Sequence, residues 1–114
     1  MCQILHCETA RPSRKQVRRV IDANPDGTGV AWIHGGVAQW RKGLTHDQAL
    51  DLSQSVPLPF ALHARVATSG GTSSRLTHPF PVSRKSGLSL AGSAPSVLMH
   101  NGIWSTWDSD DLVD

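Results

Sequence analysis

The chain has 114 residues, 39% of them hydrophobic and 18% charged, a globular balance with enough material for one domain and its core. No run approaches the roughly 18 apolar residues of a membrane-spanning helix, and residues 1–11 lack the apolar stretch of a signal peptide, so the expected location is cytoplasmic with no membrane partner. The net charge of +2 carries no tract that seeks phosphate.

In chain order, Gln3 to His6 reads as a short first strand. Ser13 caps a helix from Arg14 to about Ala23, with Val17, Val20 and Ile21 inward and Arg14, Lys15, Arg18 and Arg19 on a solvated face. No aromatic residues interleave with those cations, so nucleic acid is not the expected partner. Asn24-Pro25-Asp26-Gly27 stops the helix. Gly29 to Ile33 suits a buried strand, His34-Gly35-Gly36 a turn, and Val37 to Lys42 the returning arm of a hairpin. Thr45 followed by Gln48 is a capping-box pair and opens a helix to about Ser55, with Leu44, Ala49, Leu52 and Val56 toward the core. Pro57 and Pro59 end that element.

Phe60, Leu62, Ala64 and Val66 then alternate with Ala61, His63 and Arg65, the period of a half-buried strand. Residues 70–74 read as a loop, Ser96 to His100 as another strand closed by Asn101-Gly102, and residues 110–114 as the beginning of a helix. Strands outnumber helices and pair with near neighbours, which predicts an α+β layered fold with antiparallel sheets, a single domain over residues 1–114.

Three features suggest chemistry. If Met1 is removed, Cys2 carries both a thiol and a free α-amine. Amines of that kind titrate at about 7.7–8.0 and thiols at about 8.5, so the one is a base for the other near neutral pH. The side-chain amide of Asn101 and the backbone N–H of Gly102 are two donors able to hold a tetrahedral oxyanion, although Asn-Gly is also a common turn pair. Arg65 offers a bidentate fork for a carboxylate, or a surface ion pair. Cys2, His6 and Cys7 lie close in sequence but lack a fourth ligand with finger-like spacing, so no metal is expected.

Taken together, these residues resemble the class II glutamine amidotransferase domain of the N-terminal nucleophile hydrolases. The resemblance runs through Met1-Cys2, NPDGTGVAW at 24–32, HARVATSGG at 63–71, THPFPV at 77–82 and LMHNGIW at 98–104, nearly the whole chain. The NPDG and THPFPV forms are closest to short stand-alone members from phage or bacteria. The resemblance implies a four-layer αββα sandwich and hydrolysis of the side-chain amide of glutamine or of another γ-glutamyl amide, with Cys2 as nucleophile and Asn101 and Gly102 as the oxyanion hole. It also implies that Arg65, aided by Thr68, holds the substrate α-carboxylate, that no cofactor is used, and that Asn24 and Asp26 support the nucleophile structurally.

Three departures from the family pattern are visible. Ser69 stands where many members have histidine. Asp108, Asp110 and Asp111 follow Asn101 too soon to match the family's aspartate for the substrate amine, and the later strands and helices of the sandwich have no counterpart, so a C-terminally incomplete fold is expected. A second expectation of another class is therefore a catalytically inactive remnant or partner-binding module of the same fold. A synthase or a second copy of the chain would be the protein partner.

Overall fold

In the computed structural model, residues 2–65, 78–81, 90–94 and 97–99 are described. The elements run β1 (Gln3–Cys7), α1 (Arg14–Ala23), β2 (Thr28–His34), β3 (Val37–Lys42), α2 (His46–Ser55), β4 (Phe60–Ala64), β5 (Phe80–Pro81), β6 (Ala91–Ala94) and β7 (Val97–Leu98). Two helices and a five-stranded antiparallel sheet of order β1-β4-β2-β3-β6 make an α+β fold, and β5 pairs with β7 in a separate ladder.

Both helices begin where side chains satisfy their orphan N–H groups. Ser13 and Gln16 form one reciprocal capping box, Thr45 and Gln48 another. The β2–β3 hairpin turns through Gly35 and Gly36, at φ 61° and 78°, which the twist of the flanking strands favours and which side chains resist.

The helices cover one face of the sheet. Val17 and Ile21 of α1, Ala49 and Leu50 of α2, and Leu44 and Val56 flanking α2 pack on Val30, Phe60, Leu62 and Ala64. Leu50 is fully buried while Leu52 is only partly so, which shifts the inward stripe of α2 from the one expected. The basic face of α1 is exposed as expected, and Arg14 pairs with Asp51 of α2 at 3.0 Å. Arg11 donates to the Ser53 carbonyl at 2.8 Å and lies over the Phe60 ring, holding the chain before α1 onto the end of α2.

The half-buried expectation for β4 is corrected. His63 and Arg65, on the face away from the helices, are as inaccessible as Phe60 and Leu62. β4 lies between β1 and β2, and a further stretch of chain, residues 78–79, lies on its second face. Alternation reports only one covered side, so it missed this second cover. β5 and β6 were not anticipated. The anticipated strand 96–100 is represented by β7, residues 96 and 100 lying outside the described set, as do residues 66–77 and 101–114.

Candidate active site

Register brings the singled-out segments together at one end of the sheet. β1 pairs with β4 through Gln3 and Ala64, and β2 pairs with β4 through Thr28 and the same Ala64. One step further along, Cys2 and Arg65 are the next residues on adjoining strands. The NPDG turn closes on the other side of Arg65: Asp26 N–H donates to the Arg65 carbonyl at 2.8 Å, and Arg65 N–H donates to the Gly27 carbonyl at 2.7 Å. Two residues thus oppose one, a bulge at the end of the β2–β4 ladder, a device proteins use to re-aim a side chain. Cys2, 62 positions from Ala64 in sequence, reaches this end only through β1–β4 pairing.

Asn24 ties the arrangement to α1. Its side-chain amide donates to Gln3 Oε1 at 2.9 Å and to the Val20 carbonyl at 3.0 Å. The first bond fixes the residue next to Cys2; the second satisfies a carbonyl left over where the helix ends. Asn24 is buried, and these two bonds tie the start of β1 to the end of α1.

Cys2 and Arg65 are both buried, at 4% and 0% exposure. A guanidinium withdrawn from water is costly unless well partnered, which separates Arg65 from the surface ion pair that is its commoner role. Neither Cys2 nor Cys7 is in a disulfide. Cys7 packs against the helix-side core, and burial pushes its thiol above the ordinary range, partly offset by the Arg11 charge. His6, one residue away, belongs to the opposite face and lines an open, mainly apolar pocket of about 160 Å³ with Ala31, Ala61 and Val97. Cys2, His6 and Cys7 therefore do not converge, and among the described residues no group of three or more His, Cys, Asp or Glu side chains forms a metal site.

Sequence reasoning did not anticipate a third feature. His63 and His78 are both fully buried, with ring centroids 4.1 Å apart and planes inclined at 41°. His63 is two residues from Arg65 on the same face. Beside His63, Gly29 of β2 is crossed so closely that a Cβ there would overlap the His78 carbonyl oxygen and stand 2.9 Å from Pro79 Cδ. The signal was present as His63 in HARVATSGG and His78 in THPFPV, but nothing local says that the two meet.

The described parts of the resembling segments are thus spatial neighbours. Cys2 leads into β1, HARVATSGG begins in β4, NPDGTGVAW forms the turn and most of β2, THPFPV contains β5, and LMHNGIW begins at Leu98, the last residue of β5's partner β7. Thr68, Asn101 and Gly102 lie outside the described residues. No helix among the described residues is long and apolar enough to cross a membrane. No family model, curated protein or solved structure matches the chain.

Proposed function

We propose that this chain is a glutamine amidotransferase-type domain that hydrolyses the side-chain amide of glutamine. The observation that carries the reading is the adjacency, by strand register, of Cys2 and Arg65, with the NPDG turn hydrogen-bonded to the Arg65 backbone. A nucleophile and a carboxylate receptor at one end of a sheet are what an amino-acid amidase needs.

Removal of Met1 leaves Cys2 with a free α-amine. The amine takes the thiol proton, Sγ attacks the amide carbon, and Asn101 and Gly102 stabilise the resulting oxyanion. The carbon–nitrogen bond breaks as the proton passes to the departing ammonia. Water then cleaves the γ-glutamyl thioester to glutamate and restores the thiol. Arg65, aided by Thr68, binds the α-carboxylate, and its burial strengthens that bond. The fold is read as of the four-layer αββα sandwich type, a reading supported by helices on one face of the five-stranded sheet and by residues 78–79 and Val97 on the other. We place the reaction in the cytoplasm, where both thiols stay reduced.

The test is the intact mass of the purified chain after incubation with a diazo-ketone analogue of glutamine. The expected spectrum shows Met1 absent and one adduct, prevented by excess glutamine and missing from Cys2→Ala. A Met-free chain that remains unlabelled overturns the reading in favour of an inactive, partner-binding form of the fold. Protein that retains Met1 is trimmed with a methionine aminopeptidase and tested again.

A further inference from the structure

We infer that His63, His78 and Gly29 form a clasp that positions Arg65 for the substrate carboxylate, an inference that rests on the glutamine reading above. Three observations converge on it. The rings of His63 and His78 stand 4.1 Å apart, both wholly out of solvent. The backbone of residues 78–79 lies directly on Gly29, which pairs with His63 across the β2–β4 ladder. Arg65 follows His63 by two residues and so projects from the same face one row further along.

The chemistry of the clasp follows from close packing. Gly29 is within a strand, and its backbone is outside the region that requires glycine, so alanine there is compatible with β2 itself. What alanine cannot coexist with is the His78 carbonyl. Gly29 is therefore the seat on which the His78–Pro79 backbone rests, and the ring contact with His63 holds that seat from the β4 side. With the seat filled, His78 shifts off His63, and the floor beside Arg65 is no longer defined. A fork that must meet both carboxylate oxygens tolerates little displacement, and about 1 Å of misplacement can cost on the order of 100-fold in effectiveness. The three residues touch no reacting atom in this scheme; they are positioning residues that act through Arg65.

The experiment compares wild type, Gly29→Ala, His78→Gln and His78→Phe, each shown by circular dichroism to melt cooperatively. It follows the rate of Cys2 labelling by the diazo-ketone analogue against its concentration. Expected for Gly29→Ala is a rise of roughly tenfold or more in the half-saturating concentration, with the maximal labelling rate within about threefold of wild type, the split expected when binding geometry is lost and the nucleophile is spared. His78→Gln, which keeps polarity and loses the ring, behaves likewise, while His78→Phe, which keeps a ring against His63, stays within about threefold of wild type. A merely structural role would lower the amount of labelled protein and leave the half-saturating concentration unmoved.

Half-saturation unchanged in Gly29→Ala and His78→Gln overturns the clasp and leaves the glutamine reading standing. Equal loss in the Phe and Gln variants overturns the ring contact as the device. If Gly29→Ala does not melt cooperatively, the two His78 variants decide. If His78→Gln does not, the contact serves folding and the positioning role is overturned. A wild-type chain that takes no label overturns the glutamine reading, and the clasp with it.

Discussion

Replacing Asn24 with alanine tests whether one side chain links the end of α1 to the strand that begins beside Cys2. Two hydrogen bonds disappear, to Gln3 Oε1 at 2.9 Å and to the Val20 carbonyl at 3.0 Å. They are not equal. Gln3 is exposed and its amide turns to water, so that bond contributes about 0.5–1 kcal/mol. The Val20 carbonyl lies in the last turn, where the Asn24 N–H already goes to Ile21, and stripping it of its donor costs about 1–2 kcal/mol. The total is about 1.5–3 kcal/mol. With a urea dependence of about 1–3 kcal/mol per molar for a domain of this size, the unfolding midpoint falls by roughly 0.5 M or more.

Asn24→Asp sharpens the test, because it keeps the shape while removing the donor. It sets a carboxylate against the Val20 carbonyl at the negative end of the helix dipole, so its loss at pH 7 equals or exceeds that of alanine. Urea titrations followed by far-ultraviolet circular dichroism decide the matter. A midpoint shift below about 0.3 M for Asn24→Ala, or an aspartate variant as stable as wild type, would refute the idea that donation by Asn24 anchors this junction.

Other expectations follow from the same structure. Leu62→Ala, fully buried between the helices and the sheet, costs about 3–4 kcal/mol in the same titration, whereas Ile33→Ala, at 48% exposure, costs under about 1 kcal/mol. Gly36→Val puts a β-branched residue at φ 78° in the hairpin turn and lowers stability by about 1–2 kcal/mol, although no atom stands within 4 Å to obstruct the new side chain. On the proposed glutamine reading, Arg65→Lys keeps the charge but loses the fork, so the KM for glutamine in an ammonia-release assay rises roughly tenfold or more with a smaller change in kcat. Cys7, whose thiol is raised chiefly by burial, reacts with iodoacetamide at pH 8 more slowly than an unfolded-chain thiol. Its raised folded value means that its neutral form is favoured by folding. That contribution is complete below the ordinary thiol range near about 8.5 and is lost as pH rises through the higher folded value, so Cys7→Ala flattens the alkaline decline in stability measured by urea titration.

Local chemistry was legible throughout the first half of the chain. Ser13 with Gln16 and Thr45 with Gln48 announce the helix starts because capping involves residues three apart, and Gly35-Gly36 announces the hairpin because its turn demands positive φ at both positions. The identity of candidate site residues was legible in the same way, since Cys2 and Arg65 carry their chemistry in their own side chains.

Their adjacency was not. It arises because β4 inserts between β1 and β2, joining residues some sixty positions apart, and strand order of that kind leaves no periodic mark. The same limit explains β4 itself, whose alternation shows Phe60, Leu62 and Ala64 facing the helices but says nothing of the second cover over His63 and Arg65. His63, Gly29 and His78 read separately as a polar strand residue, a strand glycine and a residue before proline. Only the packing of residues 78–79 onto the sheet makes them one contact, because close approach of two backbones is a property of the folded chain and of no segment within it.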